Sequence, residues 1–97
     1  AGVVHFTRIA ALEWAPYNIR VNGIAPGFIE TPGTEKWMAA AARSQPGIRE
    51  YLAGKIPLGR IGQPEDILGA VIYFASDASS YVTGETILIG GGMQSPL

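Results

Sequence analysis

The run of residues 19–25 and the sharp turn after it constrain the fold of this chain more than any other feature. The run is short, apolar and bounded by turn residues, which is typical of a buried strand in a parallel sheet. It stops at Pro26-Gly27, and Thr31 follows with a hydroxyl group. Ligands bind beyond the carboxyl ends of the strands in open α/β sheets, so we expect residues 26–31 to lie at the rim of a ligand crevice.

The segments on either side of this strand predict an α/β fold. Residues 1–15 lack proline and are rich in good helix formers, and residues 64–76 begin with proline and acidic residues, so both are predicted helices. Residues 85–89 form a second apolar run and a second predicted strand. This order of helices and strands is typical of a parallel sheet with a crossover connection. Two strands alone would leave unpaired edges, so we expect the chain to be part of a larger domain.

Residues 32–55 form a long connection directly after the proposed ligand rim. The connection carries charged residues and four consecutive alanines, and Pro46-Gly47 separates two short predicted helices. Connections longer than about 12 to 15 residues are usually functional lids when they are ordered, so this one is a candidate substrate lid. A mobile surface loop is the alternative interpretation, and the sequence does not separate the two.

Composition limits the classes of partner. With 47% hydrophobic residues and a formal net charge of -1, the chain has the composition of a globular protein. The nearly neutral balance argues against a nucleic-acid or anionic-membrane partner, because phosphate recognition needs an excess of basic residues. The absence of cysteine excludes disulfides and thiolate metal sites, and we expect no metal site. It is compatible with any compartment, so the cytoplasm is the default localisation.

The predicted helix 1–15 is apolar around most of its circumference, with a narrow polar strip around His5 and Arg8. A helix of this kind should be covered on both sides, which indicates a subunit interface. Asn22 is an unusual residue for a buried strand. Buried amides usually bond to neighbouring backbone, so we expect Asn22 to fix a loop rather than to take part in catalysis.

Four stretches, in order and spacing, resemble the short-chain dehydrogenase/reductase family along the whole chain. They are Ala1-Gly2-Val3 leading to Thr7 and Ala11-Leu12-Glu13; Ile19-Arg20-Val21-Asn22; Pro26-Gly27-Phe28-Ile29-Glu30-Thr31; and Arg60-Ile61-Gly62-Gln63-Pro64-Glu65-Asp66-Ile67 with Tyr81-Val82-Thr83-Gly84-Glu85. The resemblance implies that residues 1–97 are the C-terminal part of one doubly wound, parallel-sheet domain of the Rossmann type. The N-terminal dinucleotide-binding half would lie outside these residues.

The family transfers a hydride between NAD or NADP and a carbonyl or alcohol, or reduces an activated double bond. The resemblance therefore implies an NAD(P)-dependent oxidoreductase with a small carbonyl, alcohol or enoyl substrate. The family's serine, and its tyrosine with a lysine four residues later, would precede Ala1, so we expect no catalytic residue in this chain. Tyr51 and Lys55 have the same spacing, but we interpret them as a coincidence on a solvated helix.

The resemblance also assigns a cofactor-binding role to four residues. The backbone of Ile29 would pair with the nicotinamide carboxamide, and the Thr31 hydroxyl would bond the carboxamide or a phosphate. Pro26 and Gly27 would set the corner and let the backbone approach the ligand. A plain strand-to-helix turn capped by Thr31 is the alternative. The family commonly has an aspartate where this chain has Gly90, so no contact is expected there.

By the same resemblance, the chain would contribute a nicotinamide pocket, a substrate lid and a subunit interface to a homodimer or homotetramer. The choice between NAD and NADP depends on residues at the adenosine ribose, which would lie upstream. A non-catalytic binding or assembly module with the same fold is the alternative function. The residues before Ala1 would decide between the enzyme and this module. An independent 97-residue domain is a third possibility, and it predicts a cooperative unfolding transition for the isolated polypeptide.

Overall fold

The computed structural model describes residues 2–93, which form four helices and two strands. In chain order these are α1 (Gly2–Trp14), β1 (Gly23–Pro26), α2 (Pro32–Ala41), α3 (Ile48–Gly54), α4 (Glu65–Ala75) and β2 (Thr86–Ile89). Single 3-10 turns follow α1 at Ala15–Tyr17 and α4 at Asp77–Ser79. The two helices between β1 and α4 flank Pro46-Gly47, and Gly47 has the left-handed backbone conformation that precedes α3.

The two strands pair in parallel, and this pairing creates the edge at which the chain turns. Gly23 lies opposite Thr86, and Pro26 lies opposite Ile89. α1 packs against β1, while α4 packs against both strands. The predicted α/β class with a parallel sheet is therefore confirmed.

The first strand begins later than predicted, at Gly23 rather than at residue 19. Before that point one backbone bond remains, from the Gly84 N–H to the Val21 carbonyl at 2.7 Å, and side chains supply the other bonds between the two segments. The Asn22 amide donates to the Val82 carbonyl at 3.0 Å and accepts from the Glu85 N–H at 3.1 Å, as expected of a loop-fixing residue. The Val21 N–H donates to the Thr83 hydroxyl at 3.0 Å. The prediction for Asn22 is confirmed, while the start predicted for the strand is wrong.

Arg20, inside that predicted strand, instead holds the carboxyl end of α4. Its guanidinium donates to the carbonyls of Phe74 at 3.0 Å and Ser76 at 3.3 Å. It also donates to the hydroxyl of Ser79 at 2.8 Å, and Ser79 is fully buried. A cation is favoured at a helix carboxyl terminus, where carbonyls lack helical partners. Arg20 thus fixes the end of α4 to the segment that leads into β1.

A small core lies beneath α2 and α3. Met38, Ile56 and Ile61 are buried together, and Phe28 packs against them from the segment after β1. Leu52 of α3 packs against the same cluster. The long connection is therefore attached to the turn that follows the first strand. No helix within residues 2–93 combines the length and hydropathy needed to cross a membrane.

Candidate functional site

The site begins where β1 ends and the chain passes closely over the end of β2. The Gly27 N–H donates to the Ile89 carbonyl at 2.8 Å, which continues the ladder one residue beyond Pro26. A Cβ atom on Gly27 would lie 2.7 Å from the Cα atom of Gly90. Because this neighbour is backbone, it cannot swing aside as a side chain would. The turn after β1 therefore requires glycine at position 27.

The next residues pair with the loop before α4. The Gly62 N–H donates to the Phe28 carbonyl at 3.0 Å, and the Glu30 N–H donates to the Gly62 carbonyl at 2.7 Å. This bridge uses the groups on either side of Ile29, so the polar groups of Ile29 itself face away from Gly62. Its N–H has no hydrogen-bond partner within residues 2–93. The peptide edge at Ile29 thus offers an unpaired donor.

The Ile29 carbonyl and the start of α2 are organised by two threonines. The Thr34 hydroxyl lies 3.0 Å from the Ile29 carbonyl, which retains a second lone pair. Thr31 is the N-cap of α2, and its hydroxyl accepts from the Thr34 N–H at 3.2 Å. A hydroxyl that accepts a capping bond can still donate its own proton. Capping by Thr31 and ligand binding by Thr31 are therefore compatible.

A cleft of about 150 Å³ opens beside Ile29 and the end of β2. Ile56, Leu58 and Ile89 give it apolar walls, and Gly62 forms part of its lining. A Cβ atom on Gly62 would come within 2.5 Å of the Cδ1 atom of Ile29. The small residue at position 62 keeps the Ile29 side chain, and with it the cleft, in the observed arrangement.

Glu30 lies on the other side of the extended segment and holds α3. Its carboxylate forms an ion pair with Arg49 and accepts from the Gln63 side-chain amide at 3.0 Å. The Glu30 side chain is 11% exposed, whereas the Arg49 side chain is 53% exposed. Arg49, followed by the bond from Gln63, lowers the pKa of Glu30 from 4.5 to about 2. Glu30 is therefore ionised at neutral pH and serves as an anchor, not as an acid.

A second ion pair fixes the loop that carries Gly62. The Arg60 guanidinium donates to both carboxylate oxygens of Asp66, at 2.7 and 2.8 Å. The same carboxylate accepts from the Gln63 N–H at 2.7 Å, at the start of α4. These bonds, above all that from Arg60, hold the pKa of Asp66 well below its usual range. The loop beside Ile29 is consequently tied to α4.

The residues expected at the cofactor corner lie within one continuous segment. Pro26 ends β1, Gly27 turns over Gly90, Ile29 presents its N–H, and Thr31 begins α2. The sequence alone assigned no role at the site to several residues that shape this segment. They are Thr34, Gly62, Gln63, Glu30 and Arg49.

Only one of these omissions has a clear local signal. Thr31-Pro32-Gly33-Thr34 places a threonine at the N-cap, proline at the first helical position and a second threonine at the third. Glu30 contacts Arg49 and Gln63, which lie 19 and 33 positions further along the chain, so no local pattern predicts these contacts.

The Tyr51 and Lys55 pair lies on the surface of α3 and the residue after it. The Lys55 Nζ atom lies 5.2 Å from the centre of the Tyr51 ring, and the Tyr51 residue is 54% exposed. This contact is a cation–π interaction at a solvated surface. Within residues 2–93 there is also no group of three or more histidine, aspartate or glutamate side chains placed to hold a metal ion.

Comparison with known proteins places the chain among reductases and dehydrogenases. The family model described as enoyl-(acyl carrier protein) reductase matches residues 1–94. The chain is 50% identical over 93 residues to the 3-oxoacyl-(acyl-carrier-protein) reductase FabG of Thermotoga maritima, covering 96% of this chain and 35% of that protein. The chain spans about a third of the length of the curated relatives it matches.

Two solved structures show the same fold over nearly the whole chain. A short-chain dehydrogenase family protein from Francisella tularensis has a TM-score of 0.88 at 33% identity, covering 94% of this chain and 39% of that one. A protein from Agrobacterium tumefaciens, described as a 2-deoxy-D-gluconate 3-dehydrogenase with bound NADP, has a TM-score of 0.78 at 44% identity. That match covers 94% of this chain and 35% of the relative.

Proposed function

The chain belongs to the short-chain dehydrogenase/reductase family, and we propose that its residues 26–31 bind the nicotinamide end of NAD or NADP in an oxidoreductase. The predicted fold, part of a doubly wound parallel-sheet domain of the Rossmann type, is confirmed by its solved relatives. When bound, the cofactor would exchange a hydride with a carbonyl, alcohol or enoyl group of a small substrate.

The observation that carries the proposal is the unpaired peptide edge at Ile29. An N–H without a partner in the described residues lies next to a carbonyl with a free lone pair. A carboxamide has both a donor and an acceptor, so it matches this pair of groups. The Thr31 hydroxyl, two residues away, adds a donor that would bind the carboxamide or a phosphate oxygen. Together these groups would fix which face of the nicotinamide ring meets the substrate.

The close backbone packing at Gly27 supports the same role. Since the turn passes against Gly90 with no room for a side chain, the position of the Ile29 peptide is set by the strand ends. A rigid support of this kind is needed, because small displacements of bound groups cost large factors in rate. The corner would therefore orient the cofactor without performing proton transfer.

We assign residues 32–55 the role of a substrate lid. α2 follows the corner directly, and its Trp37 ring lies 6.3 Å from the ring of Phe28. Trp37 is 52% exposed, and Met38 on the same helix is buried in the core. The lid would thus be attached to the corner through the buried side of α2, which carries Met38. Its exposed Trp37 would be available to contact an apolar group of the substrate.

We also propose that the whole protein is a homodimer or homotetramer. α1 buries only small side chains, Thr7, Ala10 and Ala11. Its Phe6 is 62% exposed and its Leu12 is 78% exposed. Large exposed apolar residues on one helix are typical of a surface that another element or subunit covers. α1 is consequently our candidate for a subunit interface.

A titration of the whole protein with NADH and with NADPH tests the proposed function. We expect saturable binding of at least one, followed by oxidation of the bound cofactor when a 3-oxoacyl thioester is added. That substrate is the first choice because the Thermotoga maritima relative is a 3-oxoacyl-(acyl-carrier-protein) reductase. Binding of neither cofactor would contradict the proposal, and binding without turnover of any carbonyl, alcohol or enoyl substrate would favour the non-catalytic module.

A further inference from the structure

Glu30 lies between the two residues proposed to contact the cofactor, but it faces away from them. Successive side chains point to opposite sides in an extended segment, so Ile29 and Thr31 share one side and Glu30 takes the other. On that other side it meets Arg49 of α3 and Gln63 of the loop before α4. A single residue thus joins the corner to the second helix of the proposed lid.

The Glu30 carboxylate depends strongly on Arg49. Its Oε1 atom accepts from Gln63, whereas its buried Oε2 atom has Arg49 and no other donor within residues 2–93. The Glu30 side chain is 11% exposed with α3 in place, so loss of the Arg49 cation alone would leave its carboxylate with little hydration. Movement of α3 away from the corner would break this ion pair, and the free energy of that contact would be lost. The lowered pKa of Glu30 agrees with a carboxylate held in its charged form.

α3 itself needs such an attachment. It has seven residues, and helices shorter than about 12 residues are marginal in water without tertiary contacts. Its apolar attachment comes from Ile48, Leu52 and Ala53, two of which are only partly buried. The ion pair is its charged attachment to the corner. The position of α3 and the conformation of residues 29–31 therefore depend on each other.

We propose that Glu30 is a positioning residue that couples cofactor binding at Ile29 and Thr31 to the ordering of α3 over the substrate. This inference rests on the proposed function. A cofactor that binds the corner holds the peptides on both sides of Glu30, and the carboxylate then holds Arg49 in place. Because coupling between two sites is reciprocal, a lid held by Arg49 also strengthens cofactor binding.

Amide hydrogen exchange of residues 48–54 in the whole protein, with and without NADPH or NADH, tests this coupling. We expect the cofactor to slow exchange in α3 of the wild type. Arg49→Met and Glu30→Gln should each abolish this slowing and weaken cofactor binding by about fivefold or more. The double variant should behave like either single one, because both remove the same pair. Arg43→Met, which removes an exposed arginine between α2 and α3, should keep the slowing.

The outcomes separate this inference from the function on which it rests. If the wild type binds neither cofactor, both the function and the coupling fail. The coupling alone is overturned if the wild type binds a cofactor and this does not slow amide exchange in α3. It is also overturned if the cofactor slows exchange in Arg49→Met as much as in the wild type. Arg49 is about half exposed, so the Arg49→Met variant keeps the test valid even when Glu30→Gln fails to fold.

Discussion

Thr31 and Thr34 bond each other reciprocally at the start of α2. The Thr34 N–H donates to the Thr31 hydroxyl at 3.2 Å, and the Thr31 N–H donates to the Thr34 hydroxyl at 2.6 Å. These bonds satisfy backbone donors that would otherwise lack partners at the first turn of a helix. The Thr34 hydroxyl also lies 3.0 Å from the Ile29 carbonyl, so the helix start and the candidate cofactor contact form one unit.

Three substitutions of Thr31 separate its capping role from its proposed cofactor contact. Thr31→Ser keeps both roles and should leave cofactor affinity close to wild type. Thr31→Asp remains a good N-cap but lacks the hydroxyl donor and repels phosphate, so stability should hold while affinity falls by about tenfold or more. Thr31→Val should lose about 1 kcal/mol of stability as well as affinity. Thermal unfolding measures the effect on stability, and cofactor titration measures the effect on affinity. Unchanged affinity in Thr31→Asp would rule out the proposed contact between the Thr31 hydroxyl and the cofactor.

Gly27→Ala should distort the corner. The added methyl group would lie 2.7 Å from the Gly90 Cα atom, and relief requires movement of a strand end. We expect a loss of about 1 to 3 kcal/mol in stability together with weaker cofactor binding. Gly54→Ala is the matched control, since a Cβ atom there meets nothing within 4 Å. Equal melting temperatures and cofactor affinities for the two variants would show that the close approach has no consequence.

Arg20 should matter for stability rather than for cofactor binding. Its guanidinium bonds three carbonyls and the buried Ser79 hydroxyl, and a substituted side chain would leave some of these without a donor. Arg20→Met should lower the free energy of unfolding by about 2 to 4 kcal/mol. Arg20→Lys should recover only part of the lost stability, because a lysine ammonium group lacks the planar set of N–H donors that a guanidinium offers. Denaturant unfolding measures the effect; a fully stable Arg20→Met variant would contradict this assignment.

The Glu30 ion pair gives a signed prediction for acid stability. Because folding lowers the pKa of Glu30 from 4.5 to about 2, its contribution is complete above pH 4.5 and is lost as the pH falls toward 2. Glu30→Gln removes the titrating group, and Arg49→Met removes the cation that shifts it. Both variants should therefore lose less stability than the wild type between about pH 5 and pH 2. Denaturant unfolding at stepped pH measures how the free energy of unfolding changes with pH. The same pH dependence in both variants as in the wild type would refute the assignment.

Local patterns predicted the elements and their order, but they did not predict the contacts between distant segments. The start of α4 follows from its proline and acidic first turn, and the observed helix begins at Glu65. The start of β1 was misplaced because the side chains of Arg20 and Asn22 bond the distant segment 74–85, and Val21 makes isolated backbone bonds to it rather than a regular ladder. Hydrophobic pattern shows that a segment is buried, but it does not show which backbone groups the side chains will bond.

The same distinction applies to the candidate site. The turn at Pro26-Gly27 and the cap at Thr31 follow from residue type, since each has a characteristic backbone preference. The pairing of Ile29 with Gly62 and the attachment of Glu30 to Arg49 arise only when the loop before α4 and the lid fold back. Their positions depend on chain topology, which a local sequence pattern does not contain.

The structure of the whole protein crystallised with NADPH or NADH tests the central claim most directly. The measured quantity is the distance from the nicotinamide carboxamide to the Ile29 backbone. We predict that its oxygen lies within about 3.2 Å of the Ile29 nitrogen, with the Thr31 hydroxyl in contact with the carboxamide or a phosphate. A nicotinamide ring bound away from residues 26–31, with no ligand atom within hydrogen-bond distance of the Ile29 N–H, would contradict the account.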